Sequence, residues 1–187
     1  LAFKTGDAVD LRAKSGKPLG RYFPEVVALL RGLEATEFVV DGEIVIEIEG
    51  SLSFDALQMR LHPAESRIQK LSVATPAKFI LFDMLAGSEG DLRHRPLTAR
   101  RAELERFVKS AGRTDLELSR CTRDVAIASL WLGESGHGST DGVVAKLLED
   151  EYRPGERAMV KVKRLRTADC VVGGFRYLAK SHEVGSL

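Results

Sequence analysis

Cysteine is scarce in this chain of 187 residues: Cys121 and Cys170 stand far apart and form no Cys-x-x-Cys. Neither a disulfide framework nor a zinc ribbon is supported, and a reducing, cytoplasmic compartment is expected. No apolar run approaches the roughly 18 residues that a spanning helix needs, which excludes such a span. Residues 1–15 contain no apolar signal region and Leu1 is not a start methionine, so a piece of a longer, unsecreted chain is expected. Internal repeats and low-complexity linkers are missing as well. The sequence has no Gly-x-Ser-x-Gly elbow, and Lys14-Ser15-Gly16-Lys17 lacks the upstream glycine of a P-loop. The four histidines, His62, His94, His137 and His182, show no metal-ligand spacing.

Apolar residues make up 44% of the chain and charged residues 29%, a balance that excludes disordered and fibrous classes. A chain of this length buries about 70% of its unfolded surface, enough for a core without staples. The formal net charge of +1 hides a strong polarity. Seven acids and no Lys or Arg lie between Glu34 and Asp55, whereas eight bases face two acids between Tyr152 and Lys180. This pattern suits a basic surface for a polyanion beside a separate acidic site, and it equally suits two solvated faces.

The periodicity predicts an α+β fold with a largely antiparallel sheet. A strand is expected over Ala8–Arg12, after a Thr5-Gly6-Asp7 turn. A helix should open at Pro24 with Val26, Val27, Leu29, Leu30 and Leu33 inward. Phe38–Ile48 reads as a strand pair or one long strand. Ser53 can cap a short helix carrying Phe54, Leu57 and Leu61. Lys78–Leu85 reads as a central strand. Helices are expected from Thr98, with Leu104, Phe107 and Val108 inward, and over Asp124–Leu132. Three more strands are expected over Gly142–Leu148, Arg157–Leu165 and Ala168–Phe175. Near Thr167 the pattern restarts, as at the opening of a second domain.

Candidate chemistry lies in the lysines and the acid–glycine pairs. In Gly142–Leu148 both faces are apolar apart from Lys146, which implies burial on both sides and an anion for its ammonium; an edge-strand lysine reaching water is the alternative. In Met159-Val160-Lys161-Val162-Lys163, alternation places Lys161 and Lys163 on one face, about 7 Å apart, a spacing that suits an oligophosphate or a solvated face. Asp41-Gly42-Glu43 has the form of a hairpin turn. With Asp141-Gly142 it also offers carboxylates for a Mg²⁺–nucleotide site, which needs only one or two of them.

Taken in order, Asp41-Gly42-Glu43, Phe79-Ile80-Leu81-Phe82-Asp83, Asp141-Gly142-Val143-Val144-Ala145-Lys146 and Lys161-Val162-Lys163 resemble the successive motifs of the covalent nucleotidyltransferases. Tyr152-Arg153-Pro154-Gly155-Glu156-Arg157 and the stretch from Thr167 to Phe175 make the chain most similar to short bacterial ATP-dependent DNA ligases. The resemblance covers nearly the whole chain. It implies an adenylation domain over residues 1–166, lacking its N-terminal part, and the first strand of a truncated OB-fold over 167–187. Glu43 matches the acid that contacts the ribose and helps bind metal, Asp41 lies near the nick end, and Phe82 matches the aromatic that stacks on adenine. Lys146, Lys161 and Lys163 match the lysines around the nucleotide phosphates, Lys161 and Lys163 being the catalytic candidates. Asp141 stands where the family has a metal-binding Glu. Lys14 stands where an Arg binds the DNA 5′-phosphate, keeping the charge without the bidentate fork. Arg157 matches a second phosphate-contacting arginine.

The resemblance further implies ATP and Mg²⁺ as cofactors and nicked double-stranded DNA as partner, with a monomeric enzyme acting in replication, repair or recombination. The family nucleophile is the Lys of a Lys-x-Asp-Gly motif, which the 187 residues do not contain. Lys4-Thr5-Gly6-Asp7 reverses the last two residues and is read as a decoy. The alternatives are an RNA ligase or an mRNA-capping guanylyltransferase with the same motifs, or a binding module without catalysis.

Overall fold

The computed structural model describes residues 1–135, 140–164, 169 and 171–186. Its main sheet begins with the hairpin β1 (Ala2–Thr5) and β2 (Ala8–Leu11), turning at Gly6. Helix α1 (Pro24–Arg31) starts with proline in its first turn and buries Val26, Leu29 and Leu30. Then come the long strand β3 (Glu37–Ile48), β4 (Ser51–Leu52), and the short helix α2 (Phe54–Met59), capped by the Ser53 hydroxyl on the Ala56 amide. Helix α3 (Glu65–Ala74) leads into β5 (Ala77–Gly87) and β6 (Gly90–Asp91). Helix α4 (Leu97–Ala111) ends at Gly112 in the left-handed conformation, and β7 (Leu116–Leu118) follows.

The strand order is β2-β1-β3-β5-β6, with β4 on β3 and β7 on β5. All these pairs are antiparallel except β5 with β7. The fold is therefore α+β with a largely antiparallel sheet, and β3 and β5 form its centre. One core joins Phe38, Val40, Phe79 and Leu81 of these strands to Val26 and Leu30 of α1 and Leu104 and Phe107 of α4. The Phe38 and Phe107 rings meet edge to face, 4.8 Å between centroids.

Helix α5 (Val125–Glu134) is capped by Asp124, and β8 (Val143–Lys146) pairs with β9 (Met159–Val162) in a separate two-stranded ribbon. A last hairpin joins β10 (Arg176–Tyr177) to β11 (Val184–Ser186).

Several expectations need correction. Asp41-Gly42 is no turn: it lies inside β3, which runs unbroken past it. A β-carbon on Gly42 would stand 2.5 Å from the Ile80 carbonyl oxygen, so glycine is there for close strand approach. Gly142 acts likewise, since at φ +152° any β-carbon would overlap the Val162 carbonyl. The Lys146 strand is not buried on both faces, because Val144, Leu147 and Leu148 are exposed. A two-stranded ribbon cannot cover itself, so apolar sequence alone did not imply burial. Leu61 lies beyond the end of α2, and both it and Phe54 are exposed. Helix α4 starts at Leu97 rather than Thr98; its first amides donate to the carbonyls of Leu148 and Asp150, so no hydroxyl cap is needed. Of the strand expected over Ala168–Phe175, the described residues form no strand, and pairing begins at Arg176. Leu165, Arg166, Thr167, Cys170 and His137 lie outside the described residues.

Candidate functional site

Strand β5 alternates in burial from Ala77 to Asp83. Ala77, Phe79, Leu81 and Asp83 are buried, while Lys78, Ile80 and Phe82 are only partly so. Phe79 is therefore the core aromatic, at 2% exposure, and Phe82 turns away from the core. The register explains how Phe82 is presented. Asp83 faces Asp41 and Leu81 faces Gly42, which leaves Phe82 as the extra residue of a β-bulge. Bulges redirect side chains and increase local twist. Glu43 faces Ile80 and so shares the side away from Phe79; it is exposed.

Lys146 reaches this place from the ribbon. Its Nζ lies 5.1 Å from the centroid of the Phe82 ring and 4.0 Å from Asp83 Oδ2. The ribbon register sets Val144 opposite Lys161 and Lys146 opposite Met159. Opposed residues share a face, so Lys161 stands on the same face as Lys146, and Lys163 follows two residues on. Lys163 donates to Asp141 Oδ2 at 2.7 Å, and Lys161 lies 3.6 Å from the same oxygen. Lys163 and then Lys161 hold the Asp141 carboxyl below the usual aspartate range.

The residue after Phe82, Asp83, takes part in a buried ion pair. Arg100 Nε and Nη2 donate to Asp83 Oδ1 and Oδ2 at 2.8 and 3.1 Å, and Asp83 is 2% exposed. Arg100 Nη1 also donates to the carbonyls of Arg95 and Asp150. Beside it, the Tyr152 hydroxyl donates to Asp41 Oδ2 at 2.8 Å. Burial, then the Asp41 charge, pushes the Tyr152 phenol above its ordinary range.

The expected residues thus fall into two groups, Phe82 with Lys146 and Asp141 with Lys161 and Lys163, while Asp41 is tied to Tyr152. Lys14, in the turn after β2, and Arg157, before β9, are exposed, and among the described residues neither forms a hydrogen bond or ion pair with either group. Lys4, 4% exposed, donates its ammonium to the carbonyls of Arg31 and Leu33 at the end of α1. That is a helix-terminus role. Sequence reasoning did not single out Arg100 or assign Tyr152 a role; no short-range pattern marks an arginine whose partners lie 17 and 50 residues away. Among the described residues no three His, Cys, Asp or Glu side chains cluster as a metal site. The carboxylates of Glu43 and Asp141 are nevertheless hard oxygen donors of the kind Mg²⁺ takes, one or two at a time.

The architecture defines the class, a ligase nucleotidyltransferase domain. The ligase domain of M. tuberculosis LigD superposes with a TM-score of 0.67 at 29% identity, covering 98% of this chain and 56% of that one. A mycobacterial DNA ligase D complexed with ATP and MES gives 0.66 at 27% identity, covering 88% and 50%. The family described as ATP dependent DNA ligase domain matches residues 2–163, and the chain belongs to it. DNA ligase C of Mycobacterium tuberculosis is 44% identical over 192 residues, and DNA ligase C2 of Mycolicibacterium smegmatis 44% over 188. All of this chain is covered in both alignments; it spans about half the length of these relatives, 53% in each case.

Proposed function

We propose that this chain forms the nucleotide-binding part of an ATP-dependent DNA ligase that seals nicks in double-stranded DNA through enzyme–AMP and DNA–adenylate intermediates. The observation that carries this reading is the bulged Phe82 ring with the Lys146 ammonium 5.1 Å above it, on a ribbon face that also bears Lys161 and Lys163. A flat aromatic suits adenine, and closely spaced ammonium groups suit the phosphates.

In this reading a lysine outside the Lys4 region attacks the α-phosphate of ATP, forming an N–P bond as pyrophosphate leaves. AMP then passes to the DNA 5′-phosphate, and the 3′-hydroxyl displaces it. Lys161 and Lys163 neutralise phosphate charge and help keep the attacking amine deprotonated. Glu43 and Asp141 would hold Mg²⁺, which when bound supplies further charge neutralisation. Glu43 also contacts the ribose, Asp41 lies near the nick end, and Lys14 and Arg157 contact DNA phosphates. Residues 1–166 belong to the adenylation domain and 167–187 open an OB-fold; the enzyme works as a monomer in the cytoplasm.

Calorimetric titration with ATP, GTP and Mg²⁺ tests the reading. ATP should bind, GTP much more weakly, and Phe82→Ala and Lys146→Ala should each reduce the ATP affinity. Because the 187 residues lack Lys-x-Asp-Gly, α-labelled ATP should leave no covalent label that survives denaturation at neutral pH. Preference for GTP would favour a capping enzyme, and a label on Lys4 would overturn the assignment of the N-terminal strand.

A further inference from the structure

The ribbon that carries Lys146 makes no ladder pairing with the main sheet among the described residues. Something else must set the distance between Lys146 and Phe82. The segment just after β8 does so through a series of hydrogen bonds. The Thr98 amide donates to the Leu148 carbonyl at 3.1 Å, and the Leu97 amide to the Asp150 carbonyl at 3.0 Å. Arg100 Nη1 donates to that same Asp150 carbonyl at 2.9 Å. The Tyr152 amide donates to the Arg93 carbonyl at 2.8 Å, and its hydroxyl ties the segment to Asp41 on β3. Arg100 is the junction. One guanidinium holds the Asp150 carbonyl, the Arg95 carbonyl before α4, and both oxygens of Asp83, the residue next to Phe82.

From this geometry we infer that Arg100, with Asp83 and Tyr152, is a positioning unit that sets Lys146 over Phe82, and so fixes the spacing between the base and the phosphates of the bound nucleotide. Arg100 is 3% exposed and so offers no open face to a nucleotide. Its planar fork makes four hydrogen bonds to a carboxylate and two carbonyls, one more than the three donors of an ammonium allow. Asp83 acts twice, binding Arg100 and lying 4.0 Å from the Lys146 ammonium, on the strand that bears the stacking ring. The inference rests on the ATP-site reading above, and its test separates the two.

The test is a double-mutant cycle on ATP affinity, with thermal melts run alongside. Arg100→Lys should weaken ATP binding by about tenfold, and in a Lys146→Ala background the same change should matter less than about twofold, because contacting residues couple and independent ones add. Tyr152→Phe removes one hydroxyl from the same junction and keeps the test decisive if Arg100→Lys does not fold. It should cost about threefold, again only when Lys146 is present. Equal losses with and without Lys146 would mark the junction as merely structural and overturn the inference. Unchanged affinity in Arg100→Lys and Tyr152→Phe, while Lys146→Ala weakens binding, would overturn it and leave the ATP site standing. If neither Lys146→Ala nor Phe82→Ala affects ATP binding, the site itself is refuted and the inference with it.

Discussion

Phe79 and Phe82 are three residues apart on one strand, and truncating each to alanine should damage different properties. Phe79 is 2% exposed and packs in the same core as Phe38, Leu81 and Leu104. Removing a buried phenyl group costs about 3–5 kcal/mol through lost transfer energy and the cavity left behind. For a domain of this size each kcal/mol corresponds to about 2–4 °C, so Phe79→Ala should lower the melting temperature by about 6–20 °C. Phe82 stands at the bulge, partly exposed and outside the core cluster, so its loss leaves no comparable cavity. Its melting temperature should fall by only a few degrees. Its effect belongs to the nucleotide: base–aromatic stacking contributes about 1–3 kcal/mol, so Phe82→Ala should weaken ATP binding roughly 5- to 150-fold. Differential scanning fluorimetry and ATP titration on both variants give the two readouts. A large melting loss for Phe82→Ala with unchanged ATP affinity would refute the stacking role.

Lys161→Ala and Lys163→Ala should each weaken ATP binding by about tenfold in titrations, and Arg166→Ala, beyond the ribbon strand, much less; equal effects for all three would mean a diffuse electrostatic patch. The Asp141 carboxyl is lowered by Lys163 and Lys161, so its stabilising contribution is full above the ordinary aspartate value and lost as pH falls through its lower folded value. Carbon-detected NMR titration should find the Asp141 midpoint below that of a free aspartate, and Lys163→Ala should raise it. Arg60, fully buried, donates to both carboxylate oxygens of Glu25 and to the Tyr22 and Thr75 carbonyls. Arg60→Ala would leave that partly buried carboxylate without its cation, held only by the Ala77 amide, and urea unfolding should show a loss of about 3–5 kcal/mol.

Local order determined much of this protein. Proline at the start of α1, Ser53 and Asp124 at their helix caps, and the apolar spacing of α4 act over three or four residues, so those elements were legible in the sequence. The order of the acid–glycine, Phe-Asp and lysine motifs likewise pointed to the ligase family that the comparisons establish. Tertiary structure decided what depends on a partner strand. Asp41-Gly42 has the composition of a turn, yet the close approach of Ile80 makes Gly42 the interior of a strand. The strand of Lys146 has the composition of a core strand, yet its apolar residues stay exposed because only one strand pairs with it among the described residues. Periodicity divided Phe79 from Phe82 but could not say which faces the core; the helices on one side of β5 decided that. Arg100 was invisible for the same reason, since its role consists of contacts to three segments that only the folded chain brings together.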